Sequence, residues 1–264
     1  MPISTPSLSF SSVVARLRRA GCVFAEDEAE ILLSCTRGCD GLEAMVERRE
    51  AGEPLEYVVG WAEFCGRRMS VEPGVFVPRR RTEFLVGRAV DLAPERPVAV
   101  DLCCGSGALG AALAAARPGT ELHAADLDPA AVRCAQRNLA DVGGRVYAGD
   151  LYDPLPRSLH GRVDVLLANV PYVPTGEIAL LPGEARDHEA RAALDGGRDG
   201  LAALRRVSAA APDWLAPGGC LLFEVSERQA PAAAAIAAAD GLAARVAADE
   251  DAGATVVVAT APEG

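Results

Sequence analysis

The chain contains no lysine: every one of its 26 basic residues is arginine. With alanine abundant as well, this reads as the codon bias of a GC-rich genome and carries no functional message. Imidazole is scarce, limited to His123, His160 and His188. The eight cysteines (Cys22, Cys35, Cys39, Cys65, Cys103, Cys104, Cys134 and Cys220) form no Cys-x-x-Cys pair. A zinc site is therefore not expected, and adjacent Cys103 and Cys104 read as small packing residues. No apolar run reaches 18 residues, which excludes a membrane-spanning helix. The start, Met1 to Thr5, shows no basic stretch followed by an apolar one, so no secretory leader is expected. Free thiols without a leader point to the reducing cytoplasm. Aromatics make up only 5% of the chain and the net charge is −11, with the acidic excess in the C-terminal two-thirds. Such a surface repels phosphate backbones, so nucleic acid is not an expected partner except indirectly.

What is present is an alternation of strands and helices. Residues 10–50 read as helices, with Val13, Val14, Leu17, Ile31, Leu32, Leu42, Met45 and Val46 at helical spacing and Gly21, Gly38 and Gly41 as punctuation. Residues 1–52 are expected to form a small helical domain, 53–80 a hairpin or extended connector, and 81–264 the main domain. Within the connector, Tyr57–Trp61 and Phe64–Val71 read as extended, as does Val75–Pro78. Thr82 is placed to cap a helix through Phe84, Leu85 and Val90. From Pro97 onward strands are expected at 98–102, 121–125, 145–148, 163–168 and 220–225, then near Val246 and at 255–260. Helices are expected at 108–116, 129–140, 201–215 (ended by Pro217-Gly218-Gly219) and 228–240. Strands alternating with helices mean an α/β fold with a mostly parallel sheet covered on both faces.

Ligands of such sheets bind outside the carboxyl ends of the strands, and four features gather there. Asp101-Leu102-Cys103-Cys104-Gly105-Ser106-Gly107 follows the first strand; with Gly110 it also satisfies the dinucleotide spacing, so this motif does not settle the ligand. Asp101 can meet a cationic or amino group. Asp126 ends the second strand, where it can accept two ribose hydroxyls. Asp150, after the third, can accept from an adenine amino group. Each alone could be a helix cap or turn aspartate. Together they form an acidic ring that would repel a pyrophosphate but not a sulfonium. Asn169-Val170-Pro171-Tyr172 follows the strand 163–168, and an Asn side chain, a free carbonyl and a flat ring can grip a planar amide or amino group.

These motifs resemble the signatures of class I S-adenosylmethionine methyltransferases. Glu53–Gly60, Glu63-Phe64, Phe76-Val77-Pro78-Arg79, Thr82-Glu83, Ala192–Leu201, and Glu224 with Gln229 narrow the resemblance to HemK-type protein glutamine N5-methyltransferases, over roughly residues 50–260. The resemblance implies a Rossmann-like domain with a mostly parallel seven-stranded sheet behind a small helical substrate-recognition domain. It implies S-adenosylmethionine as cofactor, held by Asp101, Cys103, Gly105, Gly107, Asp126, Leu127, Asp150, Leu151 and Asn169. Catalysis would rest on Asn169, Val170, Pro171 and Tyr172, and substrate contact on Phe76, Arg79, Tyr172 and Glu189. The expected substrate is a protein, either a peptide-chain release factor with its Gly-Gly-Gln loop or another glutamine-containing protein or peptide, and a monomer is expected. The chain departs from the family where Val170 replaces a proline, Cys103 a glycine, Ala190 a proline, and Arg80 and Arg81 a proline and an acid. Arg79, Arg80 and Arg81 read either as a solvated turn or as a basic patch beside the pocket. His188 and Glu189 read first as surface loop. The alternatives are methylation of an exocyclic base amine or of another peptide or small-molecule amide, a non-catalytic cofactor-binding scaffold, and, most remote, a nicotinamide dehydrogenase.

Overall fold

In a computed structural model that describes residues 8–35 and 39–263, the chain begins with three helices, α1 (Phe10–Arg19), α2 (Ala25–Cys35) and α3 (Cys39–Glu50). Ser9 caps α1 by accepting from the Ser12 amide at 3.3 Å, and Val13, Leu17, Ala29, Leu32 and Val46 close a small core. Gly41 does not break the chain but lies inside α3; Gly38 and the Met1–Thr5 start lie outside the described residues. Arg49, 6% exposed, donates to both oxygens of Glu28 at 2.7 and 3.1 Å and to the Glu53 carbonyl at 3.1 Å.

The connector corrects one expectation. Leu55–Val59 is a turn of helix (α4), not strand, entered from Pro54 and stopped by Gly60 at φ 82°. A five-residue apolar run cannot distinguish the two periods, and the flanking proline and glycine decide it. The Tyr57 hydroxyl donates to the Val75 carbonyl at 2.8 Å and so ties α4 to the extended segment that follows. A hairpin of β1 (Trp61–Phe64) and β2 (Arg67–Ser70) turns through Cys65 and Gly66, both left-handed. Thr82 is likewise not the expected cap. It ends a 3-10 turn (Arg80–Thr82) in helical geometry before α5 (Glu83–Leu92), and its buried hydroxyl has no partner.

The main sheet comprises β3 (Val98–Leu102), β4 (Glu121–Asp126), β5 (Arg145–Ala148), β6 (Val163–Ala168), β7 (Leu215–Glu224), β8 (Ala243–Asp249) and β9 (Ala254–Thr260). Their spatial order is β5-β4-β3-β6-β7-β9-β8; the first five run parallel and β9 is antiparallel to both neighbours. α5, α6 (Ala108–Ala116) and α7 (Pro129–Leu139) cover one face through Leu85, Leu113 and Leu139. Two short helices, α8 (Gly183–His188) and α9 (Arg191–Leu194), follow β6. α10 (Ala202–Trp214) and α11 (Ala230–Ala239) cover the other face through Leu204, Val207 and Ala233. Pro217-Gly218-Gly219 does not separate α10 from its strand, as the sequence suggested, but lies inside β7, where the pairing with β6 shifts register. Among the described residues no helix is long and apolar enough to cross a membrane.

Arg49 is buried and Glu28 nearly so, and Arg49 also reaches Glu184 of α8. Removing one member of a buried pair leaves the other charge uncompensated, which costs about 3–5 kcal/mol. Arg49→Met should therefore lower stability by about that amount in urea unfolding, whereas Arg18→Met, which removes an exposed pair with Glu26, should cost under about 1 kcal/mol.

Candidate active site

Strand order reverses between β3 and β6, which lie side by side although β4 and β5 intervene in sequence. This is the position where open α/β sheets bind ligands. The pairing sets Leu102 against Ala168, so the turn after β3 and Asn169 after β6 leave the sheet next to each other.

Asp101 is 1% exposed and accepts the Gly110 amide at 2.9 Å. Burial pushes its carboxyl up to about 8, with the Asp126 charge adding to the effect. A cation or amino group brought alongside would favour its ionised form. Asp126, whose carboxyl is also raised by burial, accepts from the Gly105 amide at 2.8 Å and the Asp128 amide at 2.9 Å. It thereby shapes the turn while keeping lone pairs for a further donor. In that turn Cys103 (φ 52°), Gly105 (φ 54°) and Gly107 (φ 77°) are all left-handed. Cys103 is a strained choice there, since the left-handed region costs a side-chain-bearing residue about 1–2 kcal/mol. The Leu127 side chain is 67% exposed beside Asp126 and offers an apolar surface to a flat ligand. Leu151 is also left-handed, at φ 49°. Asp150 departs from the expected picture: both its oxygens are held by Arg206 of α10, at 3.2 and 2.7 Å. A cavity of about 400 Å³ extends from Asp150 and Leu151 along Tyr152 and Arg206 to Trp214.

The Asn169–Tyr172 loop is braced from several directions. Val170 is 2% exposed in the core. Gln229 donates from Nε2 to the Tyr172 carbonyl at 2.8 Å and to the Asp199 carbonyl at 3.0 Å. The Gly196 amide donates to the Val173 carbonyl at 2.8 Å, and the Val173 amide to the Leu194 carbonyl at 3.0 Å. Gly200 stands at φ 76°, and a Cβ there would come within 2.2 Å of both Gln229 Nε2 and the Tyr172 carbonyl oxygen. The glycine-rich stretch 196–200 is thus a close-packed brace for the loop. By contrast, the Asn169 side chain and the Val170 carbonyl have no hydrogen-bond partner among the described residues. These two acceptors are left free at the rim.

The connector forms the opposite wall. Phe76 lies beside the glycine turn, its Cβ 4.0 Å from where a Gly105 side chain would begin. The Arg79 guanidinium sits 5.0 Å above the Phe76 ring and pairs with Glu189. Glu189 also accepts the Val77 amide at 3.2 Å and is 6% exposed, so it is not the surface-loop residue its sequence context suggested. Arg79 and Glu189, expected at the substrate, are engaged with each other. Arg81 pairs with Glu224 and the Tyr172 hydroxyl. Arg80 alone is exposed without a partner among the described residues. Of the groups the sequence left without a role, Arg206 is the clearest; its helical position gives no hint of Asp150, 56 residues away.

Residues 68–200 match the family described as methyltransferase small domain. A release factor glutamine methyltransferase of Geobacter sulfurreducens is 41% identical over 194 residues, covering 73% of this chain and 66% of that protein, just under two thirds of its length. The release factor glutamine methyltransferase of Mycolicibacterium smegmatis is 37% identical over 229 residues, covering 80% of this chain and 81% of that protein. A solved methyltransferase structure from Pyrococcus furiosus, 15% identical, aligns with a TM-score of 0.56 over 83% of this chain and 98% of that one, a likeness of fold.

Asp101 has an ordinary value of 3.8 when unfolded and about 8 when folded. Between those values the folded protein holds a proton that the unfolded chain has released, so stability falls as pH rises through the window. Below the unfolded value both states are protonated and the contribution is complete. Thermal unfolding from about pH 5 to about pH 9 should show this decline in the wild type and a flatter profile in Asp101→Asn. Asp101→Asn should also lose most of the thermal stabilisation that S-adenosylmethionine confers on the wild type.

Proposed function

The chain belongs to the release factor glutamine methyltransferase family of S-adenosylmethionine-dependent enzymes, and from that premise we propose that it methylates the side-chain amide nitrogen of a glutamine in a peptide-chain release factor. The observation that carries this reading is the pair of free acceptors, Asn169 Oδ1 and the Val170 carbonyl, on a braced loop beside the acidic turn after β3. The α1–α3 bundle is the part proposed to meet the release factor. The enzyme is taken to act as a monomer in the cytoplasm.

The residues at the switch point fit the cofactor. A buried carboxyl whose ionised form awaits a positive partner, Asp101, suits an amino-acid ammonium or a sulfonium. Asp126 suits ribose hydroxyls, Leu127 and Leu151 the faces of adenine, and Asp150, oriented by Arg206, its amino group. The left-handed glycines Gly105 and Gly107 let backbone approach without side chains in the way. S-adenosylmethionine, when bound, supplies an electrophilic methyl group.

An amide nitrogen is a weak nucleophile because its lone pair is delocalised into the carbonyl. Asn169 Oδ1 and the Val170 carbonyl each accept one N–H of the substrate amide, which fixes the plane of the NH₂ group and leaves one face of nitrogen open. Both acceptors strengthen as positive charge develops on nitrogen, so they favour the transition state over the bound amide. The nitrogen becomes far more acidic as its fourth bond forms, so its proton can leave to water without a dedicated base. Val170 preserves the carbonyl that the family's proline provides, and its buried side chain holds the turn in place of ring rigidity. Tyr172 and Phe76 flank the flat amide, and the Arg79–Glu189 pair keeps the Phe76 wall in position.

Incubation with labelled S-adenosylmethionine and a release factor, followed by mass spectrometry, should locate one methyl group on the glutamine of the Gly-Gly-Gln loop. Label that appears only on nucleic acid or on no protein would overturn the reading. Asn169→Ala should lower turnover by about 10²–10³-fold, the usual cost of one preorganised transition-state contact, with cofactor affinity retained in calorimetry.

A further inference from the structure

We propose that Arg81 and Glu224 are positioning residues of the methyl-transfer site, which hold the Tyr172 ring, and through it the Asn169–Pro171 turn, in the arrangement that receives the acceptor amide. The proposal rests on Asn169–Tyr172 being the acceptor site. Three groups close on one another. Arg81 donates from Nε to Glu224 Oε1 at 2.9 Å and from a terminal nitrogen to the Tyr172 hydroxyl at 2.6 Å. The hydroxyl in turn donates to the same Glu224 oxygen at 2.8 Å. Donating once and accepting once, the hydroxyl has its direction set. With Gln229 on the Tyr172 carbonyl, the residue is held at both ends.

The partners come from different parts of the fold. Glu224 ends β7, the strand beside β6, and is 2% exposed. Arg81 comes from the connector side, in the turn before α5. The ring is therefore clamped between the sheet and the connector wall that carries Phe76 and Arg79. Burial, with the Glu224 charge adding, keeps the phenol protonated, as its role as donor requires. Glu224 has a second, buried oxygen without a partner among the described residues. A buried carboxylate so poorly satisfied needs a cation, and Arg81 is the cation that reaches it.

Two measurements test it. The first reads the ring itself: full-length protein labelled with 3-fluorotyrosine, the Tyr172 signal assigned by its loss in Tyr172→Phe. The wild type should show one sharp fluorine resonance for this ring. Arg81→Ala combined with Glu224→Gln, which avoids an orphaned buried charge and so protects folding, should broaden or split it. The second is kinetic. Arg81→Ala should lower kcat about 10- to 100-fold, the scale of an ångström-sized misplacement, with KM for the release factor and Kd for the cofactor within about twofold. In a Tyr172→Phe background the same change should add little, because the contact through which it acts is gone. An unchanged Tyr172 resonance in the double variant, or an Arg81→Ala effect equal in both backgrounds, overturns the proposal. A wild type that transfers no methyl group to a release factor would refute the substrate assignment, and the fluorine spectra would still decide the clamp.

Discussion

The parallel pairing of β3 with β6 is the constraint on which the site depends. Because Leu102 stands against Ala168, the acidic glycine turn and the Asn169 loop emerge at one point from strands whose paired residues lie 66 positions apart in sequence. A slip of one residue would turn Asp101 to the opposite face of the sheet. The register is secured by burial: Ala99, Val100, Leu102, Val165, Leu166, Leu167 and Ala168 are all inaccessible to solvent, covered by helices on both faces.

Charge is arranged around that point with economy. The tripeptide Arg79-Arg80-Arg81 divides its work by alternation. Arg79 reaches Glu189 on the loop after β6, Arg81 reaches Glu224 at the end of β7, and Arg80 faces solvent. Glu189 and Glu224 each retain one buried oxygen without a partner. Each pair joins a buried carboxylate to an arginine that remains a third to a half exposed. Both pairs converge on walls of the pocket, Phe76 on one side and Tyr172 on the other.

The stretch that follows the Asn169–Tyr172 loop acts through its backbone. Gly196 and Gly200 admit the main chain of Pro171 and Tyr172 at distances that no side chain would allow, and the Gln229 amide bridges Tyr172 to Asp199. The loop carrying the two free acceptors is thus packed against a backbone brace, the support that its proposed role in orienting an amide needs.

The amino-acid sequence by itself determined the alternation of elements, because buried parallel strands and amphipathic helices differ in period, and strands such as 98–102 and 163–168 stand out as short, continuous apolar runs. It also determined the positions of Asp101, Asp126, Asp150 and Asn169 at strand ends. Short or irregular elements were not legible: the Leu55–Val59 turn of helix is too short for its period to show, the strand running through Pro217–Gly219 depends on pairing with β6 far along the chain, and Thr82 caps nothing although its residue type suits a cap. Only the tertiary structure decided the partners of the charged residues. Arg206 on Asp150, Glu189 on Arg79 and Glu224 on Arg81 join residues 56, 110 and 143 positions apart. Local sequence encodes what a residue is and which way the backbone runs through it; which charges meet is fixed by the packing of strands and connector into one body, and that has no signature in spacing.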